Sequence, residues 1–226
     1  MDTRVACVIP ALDAEPTLSG VVSGLQRSLD RPLVIVVDDG SRDDTAQSAR
    51  RVADEVVRFP VNRGKGAALR VGCALALHRG ADVVVTIDAD GQHDPAYARA
   101  LVDATATSDL VIGARARAGT TMPAGRRLTN ALSAAAVARC IGYPVADAQS
   151  GYRAIRASVL RAVAARGDRY EFETEFLILA AKHGFRVGFV PVPTHYGSAV
   201  PSRFRPLRDS MRIVRTLWRF NTGFAF

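Results

Sequence analysis

The sequence predicts an α/β fold: a mostly parallel, twisted sheet with helices on both faces, followed by an amphipathic helix at the carboxyl end. Three observations predict it. Over residues 5–87 four strand-like runs alternate with loops and three helix-length segments, the rhythm of a doubly wound sheet. The runs are continuously apolar rather than alternating, as in LVIVV at 33–37 and VVVTI at 83–87, which suits strands covered on both faces. Two of them stop abruptly in acid, at Asp38-Asp39-Gly40-Ser41 and at Asp88-Ala89-Asp90.

The elements follow in order. Residues 5–9 make the first strand, stopped by Pro10, and Thr17 or Ser19 can cap a helix running to Leu29. The second strand covers 33–37, and Asp43 or Asp44 opens the next helix. Residues 55–59 read as a third strand. Asn62-Arg63-Gly64-Lys65-Gly66 is a glycine-hinged loop ahead of a small-residue helix over 67–78. The fourth strand, 83–87, ends in the acidic edge. Beyond it, 110–113 is a strand, 128–140 an alanine-rich helix, 147–153 a dense polar turn, 157–165 and 172–182 helices, and 186–192 a closing strand. Right-handed crossovers put the carboxyl ends of parallel strands on one rim, where open α/β sheets bind ligands. Asp13, Asp39, Lys65, Asp88 and Asp90 are therefore expected to converge.

With 226 residues and 48% apolar content, the chain can bury a substantial core. The expected division is a catalytic domain over 1–196 and a basic tail over 197–226. Net charge is +8, and of thirty basic residues only Lys65 and Lys182 are lysines. Arginine grips phosphate with a two-pronged fork. Residues 110–146 carry five arginines and no acid. In the tail, Leu207, Met211, Val214 and Trp218 share one helical stripe, and Arg208, Arg212, Arg215 and Arg219 the neighbouring one. Such a helix either lies in a membrane interface or packs its apolar stripe on the core. Cys7, Cys73 and Cys140 are odd in number, far apart and in apolar contexts, as free thiols in a reducing compartment are. The amino terminus does not read as a signal peptide, and no run is long enough to span a bilayer. The expected location is the cytoplasm, or the inner face of the plasma membrane as a peripheral protein.

Asp88 and Asp90, with Gln92 two residues on, can hold a hard divalent cation in a mostly oxygen shell. Such an ion stays partly hydrated and completes its shell from a substrate phosphate.

Several blocks together resemble the family 2 glycosyltransferases of the GT-A fold, and within them the dolichol- and polyprenyl-phosphate mannose or glucose synthases. They are IPALDAEPTL at 9–18, VVDDGSRDDT at 36–45, NRGKGAAL at 62–69, DADGQHDP at 88–95, IGAR at 112–115, DAQSGYR at 147–153 and SRF at 202–204. The resemblance covers roughly residues 5–205. It implies that Pro10, Leu12, Asp13 and Glu15 cradle base and ribose, that Asp39 contacts them, and that Lys65 lies in a phosphate-clamping loop. It implies a Mg2+ or Mn2+ ion on Asp88, Asp90 and Gln92, with Asp88 also near the ribose. Arg115, Arg127 and Arg203 look like arginines that grasp donor or acceptor phosphates. Gln149, Ser150 and Arg153 match the turn that shapes the acceptor site, with Ser202 beside Arg203.

The implied reaction inverts the anomeric carbon, moving a sugar from a GDP-mannose or UDP-glucose type donor to a polyprenyl phosphate. A phosphate acceptor is already anionic and needs no strong base. A soluble or other lipid hydroxyl would need one, and Asp147, Glu173 and Glu175 are then the candidates. Nucleotide sugar and lipid phosphate, not nucleic acid, are the expected partners. Two other readings compete. Asp88-Ala89-Asp90-Gly91 also resembles the nucleophile turn of haloacid-dehalogenase phosphatases, and a basic lipid- or nucleic-acid-binding module would use the charge alone. Neither explains carboxylates at several strand ends together with the arginines.

Overall fold

The computed structural model describes residues 3–115, 124–194 and 206–221; the side chains at 124–129, 206–210, 213 and 221 are not among those described. The continuous apolar runs become strands, as their coverage on two faces demands. In chain order these are β1 (Val5–Ala11), β2 (Leu33–Asp38), β3 (Glu55–Arg58), β4 (Val83–Thr86), β5 (Leu110–Arg115), β6 (Arg153–Arg156) and β7 (Val187–Val192). They form one sheet in the order β3-β2-β1-β4-β6-β5-β7. All pairings are parallel except those of β6, which runs antiparallel to both β4 and β5.

Successive side chains point to opposite faces of a strand, and both faces are covered. Cys7, Ile9 and Val85 pack with Leu18 and Val22 of α1 (Glu15–Ser28), Ala49 of α2 (Thr45–Val52) and Leu101 of α4 (Ala98–Ala104). Ala6, Val8 and Val84 pack with Leu69 of α3 (Lys65–His78), Val137 of α5 (Ala124–Ile141), Val159 of α6 (Ala157–Ala162) and Leu177 of α7 (Glu171–Lys182). The small residues of α3 let it lie close to the sheet: a Cβ added at Gly72 would stand 2.3 Å from the Val8 side chain.

Several boundaries differ from expectation. The first helix starts at Glu15, with Pro16 in its first turn and Ala14 as its cap. Thr17 is instead inside the helix, and its hydroxyl donates to Ala89 O at 2.6 Å. The helix expected over 157–165 ends at Ala162. β6 and α4 are not foreseen, the first because Arg-Ala-Ile-Arg has only two apolar residues between arginines.

The carboxyl-terminal helix α8 (Pro206–Asn221) packs against α5 and α7. Thr216 is buried, Leu217 and Phe220 are half-buried against the core, and Lys182 Nζ donates to Phe220 O at 3.2 Å. The apolar stripe faces the other way. Met211, Val214 and Trp218 are 58%, 62% and 65% exposed. Packing of that stripe on the core, one of the two expected alternatives, does not occur at these three residues. Among the described residues no helix is long and apolar enough to cross a membrane.

Candidate active site

The rim is laced together by side chains from four loops. At the end of β1, Asp13 adopts a left-handed conformation, φ 45°, which aspartate tolerates better than most residues. Its amide donates to Ser41 Oγ at 3.0 Å, and its Oδ1 accepts from the Arg42 amide at 2.7 Å. The loops after β1 and β2 are thereby joined. Pro10 is buried, Leu12 half-buried, and Glu15 is exposed at the start of α1. Asp39, past the end of β2, is buried and accepts from Asn62 Nδ2 and from the amides of Arg63 and Gly64, at 2.6–3.1 Å. Its carboxylate folds the loop that delivers Lys65, and both of its oxygens accept from that loop. Burial pushes the Asp39 pKa up, and the two amides offset this only in part. Gly64 meets the geometry with φ 105°, a conformation closed to most side chains.

Lys65 then stands between two carboxylates. Its Nζ lies 2.6 Å from Asp88 Oδ1 and 2.6 Å from Glu173 Oε1. Burial disfavours the ammonium, but the two carboxylates outweigh it and hold the Lys65 pKa above its ordinary value. Asp88 is likewise held below its ordinary value: burial raises it, and Lys65 outweighs burial. Gly151 closes over this pair. A Cβ there would sit 2.6 Å from Lys65 Nζ and 2.9 Å from Asp88 Oδ2, so the 147–153 turn needs glycine at that point.

Asp90 has no such counter-ion among the described residues. Burial, and then the charge of Asp88, push its pKa up to about 6, while the Gln92 amide, donating to Oδ1 at 3.0 Å, opposes them weakly. A carboxylate strained in this way is where a cation is welcome. Among the described residues no group of three or more His, Cys, Asp or Glu could hold a metal. That is not the requirement for Mg2+, which takes one or two carboxylates, waters and substrate phosphates. Asp90, with Asp88 and Gln92 beside it, fits such an ion, Asp90 in particular because Asp88 already has Lys65.

On the far side of the site, Arg115 at the end of β5 grips Asp147 bidentately, Nε to Oδ2 at 2.6 Å and Nη2 to Oδ1 at 2.9 Å. Asp147 also accepts from the amides of Gln149 and Ser150. Burial would raise its pKa, but Arg115 and these amides outweigh burial and hold it low. Arg153 is turned inward, 2% exposed, and donates to the carbonyls of Ala148, Ser150 and Glu173. It shapes the turn from beneath and presents nothing to an anion. Gln149 Nε2 reaches Ser133 of α5 at 3.2 Å, and Ser150 Oγ accepts from the Tyr152 amide at 3.3 Å.

The three candidate bases are each engaged within the fold. Asp147 is saturated by Arg115 and two amides. Glu173 is held by Lys65. Glu175 Oε2 accepts from the amides of Arg166 and Gly167. Arg127 lies in α5 but its side chain falls outside the described residues, as do Ser202 and Arg203 altogether.

One residue near the rim escaped the sequence reading of the site. His93 is buried, its ring 5.4 Å from that of Tyr152, and its backbone bridges to Thr194. Burial pushes its pKa down to about 4, so it is neutral at physiological pH. A lone histidine in sequence carries no signal of such a position.

The family model described as glycosyl transferase family 2 matches residues 6–164. The chain is 33% identical over 200 residues to an undecaprenyl-phosphate mannosyltransferase of Micrococcus luteus, covering 84% of this chain and 82% of that protein. It is 31% identical over 219 residues to a UDP-N-acetylglucosamine–dolichyl-phosphate N-acetylglucosaminyltransferase of Methanococcus voltae, covering 86% and 87%. Its fold matches a crystal structure of glucosyl-3-phosphoglycerate synthase from Mycobacterium tuberculosis in complex with Mg2+ and UDP, with a TM-score of 0.76, 27% identity, and 96% of this chain and 79% of that one covered.

Proposed function

The chain belongs to glycosyl transferase family 2 and is a glycosyltransferase of the GT-A fold, and we propose that it moves a sugar from a nucleoside diphosphate sugar to a polyprenyl phosphate at a membrane surface. The observation that supports the acceptor is that the candidate bases Asp147, Glu173 and Glu175 are engaged by Arg115, Lys65 and backbone amides. A hydroxyl acceptor needs its proton removed in the transition state, whereas a lipid phosphate arrives ionised. The names of the relatives from Micrococcus luteus and Methanococcus voltae point the same way. The solved relative bound to Mg2+ and UDP supports a nucleotide donor and a divalent ion.

In this reading the loops of Asp13 and Asp39 form the nucleotide's seat, with Pro10, Leu12 and Glu15 along it. Lys65 keeps Asp88 ionised and fixed. Asp90, with Asp88 and Gln92, would hold Mg2+ or Mn2+, which when bound stabilises the negative charge of the departing diphosphate. Arg115 and the 147–153 turn, braced by Arg153, shape the acceptor side, and the sugar is inverted at its anomeric carbon. Residues 1–196 form the catalytic unit. The basic tail, 197–226, carries α8, whose exposed Met211, Val214 and Trp218 lie beside the exposed Arg215 and Arg219. That combination suits the headgroup region of an anionic bilayer. A phosphatase would need Asp88 as a free nucleophile, and here it is bound to Lys65.

The test is turnover of GDP-mannose and of UDP-glucose with Mg2+ or Mn2+, with and without a short polyprenyl phosphate. Transfer to the lipid, lost in excess chelator, is expected. Transfer only to a hydroxyl acceptor, or equal rates in chelator, would overturn the reading.

A further inference from the structure

A cavity of about 440 Å3 lies on the face of the sheet covered by α3, α6 and α7, down the sheet from Lys65. Its inner end is closed by the buried Thr86, Arg153, Ile155, Glu173 and Phe176. The wall above them is hydrocarbon, from Leu69, Cys73, Leu77, Leu160 and Phe172. The exposed residues on its margin are Ala74 of α3, Arg161 of α6, and Ala164 and Arg166 just beyond it. The opening is therefore between α3 and the segment after α6.

Native interiors are close-packed, and voids larger than a few waters are rare. This cavity opens to solvent at one end, so it is a cleft a ligand can enter and not a sealed void. Its volume falls within the range of about 300–1,000 Å3 typical of small-molecule pockets. The charges are arranged with polarity. At the closed end the buried ions offset one another: Glu173 is paired with Lys65, and Arg153 is bound by three carbonyls. At the open end the side chains of Arg161 and Arg166 have no hydrogen-bond or ion-pair partner among the described residues. Arg70, also on the wall, differs: it is committed to Gly167 O and to Asp168. An apolar interior with unpaired cations only at its mouth selects a molecule with a hydrocarbon body and an anionic end.

We propose that this cavity binds a single-chain amphipathic anion, the chain inside and a phosphate or carboxylate head between Arg161 and Arg166. The site is separate from the rim that holds Asp88 and Asp90. It is not isolated from it, because Glu173 both lines the cavity and holds Lys65 at 2.6 Å.

The test is calorimetric binding to the full chain of decyl phosphate and of decanoate, each below its micellar concentration, beside inorganic phosphate and decyltrimethylammonium. One equivalent of anionic chain is expected to bind, displaced by neither inorganic phosphate nor the cationic chain. Preference for decyl phosphate identifies a lipid phosphate as the natural source, and preference for decanoate a fatty acid. Ala164→Trp, at the exposed margin, should abolish the binding, and Arg161→Glu combined with Arg166→Glu should weaken it about tenfold. Both variants should keep the parent's hydrolysis of nucleotide sugar, which reports an intact fold. No binding by the parent chain, equal binding of the cationic chain, or binding undiminished in both variants overturns the proposal. Turnover of a nucleotide sugar without binding of either anion would sink the cavity's role and leave the transferase reading standing; binding without turnover on any donor would do the reverse.

Discussion

Lys65 Nζ is 2.6 Å from Asp88 Oδ1 and, on its other side, 2.6 Å from Glu173 Oε1. One ammonium thus ties the carboxyl end of β4 to the first turn of α7. Replacing it with an isosteric apolar chain, Lys65→Met, leaves two carboxylates facing each other without a counter-charge. Removing one partner of a buried ion pair costs about 3–5 kcal/mol. Urea denaturation should show a loss of that order, together with a collapse of donor turnover. A variant within about 1 kcal/mol of the parent would mean that solvent, not Lys65, balances these acids.

Asp90 lies on this rim with no ion-pair partner among the described residues. Asp90→Asn removes charge from a polar, ligand-facing loop and nothing from the core. The thermal midpoint should therefore hold or rise, while turnover is lost and Mn2+ no longer binds by electron paramagnetic resonance. Parental Mn2+ affinity in the variant would remove Asp90 from the metal site.

The rhythm of strands and helices through residue 87 was legible because strands covered on both faces must be continuously apolar, and Leu33–Asp38 and Val83–Thr86 are. The convergence of Asp13, Asp39 and Asp88 onto one rim followed from crossover handedness, and the contacts Asp13–Arg42, Asp39–Gly64 and Lys65–Asp88 express it. What could not be read is partnership across the chain. Nothing local in Glu171–Lys182 says that Glu173 meets Lys65 rather than a substrate. β6 escaped because its stability comes from lying between β4 and β5, not from its own four residues. The stripes of α8 were visible as stripes, but periodicity cannot say which one meets the core.

Asp147 gives a pH signature. Its folded pKa lies below the unfolded value of about 3.9. A group depressed in this way stabilises the fold above its unfolded pKa, and the contribution disappears as pH falls through the folded value. The parent should therefore lose stability steeply below about pH 4. Asp147→Asn should be less stable at pH 7, by about 3–5 kcal/mol because the buried Arg115–Asp147 ion pair is broken, and its stability should fall less steeply at acid pH. Parallel pH curves for the two proteins would refute the assignment.

Burial pushes the thiols of Cys7 and Cys73 up to about 12, and only Cys140 of the three is partly exposed. Thiolate is the reactive form. A disulfide reagent at pH 8 should modify one cysteine of the native protein quickly, identified as Cys140 by peptide mapping, and all three after denaturation. Rapid native labelling of Cys7, fully buried in β1, would show that the helices open away from the sheet.

The membrane role proposed for α8 rests on which of its faces is exposed. Met211, Val214 and Trp218 are exposed, whereas Thr216, Leu217 and Phe220 hold the helix to α5 and α7. Polar replacements on the bare stripe should therefore leave folding untouched. Trp218→Ser with Met211→Ser gives up apolar area that only a bilayer would cover, at about 25 cal/mol per Å2. Partition onto vesicles containing anionic lipid should fall at least roughly tenfold, with transfer to a vesicle-borne acceptor falling alongside it. Hydrolysis of the soluble donor should be unchanged, since the stripe lies outside the rim. Raised salt should weaken the parent's partition further, because Arg215 and Arg219 contribute through screened attraction. Unaltered vesicle binding in the double variant would show that α8 presents this face to something other than lipid.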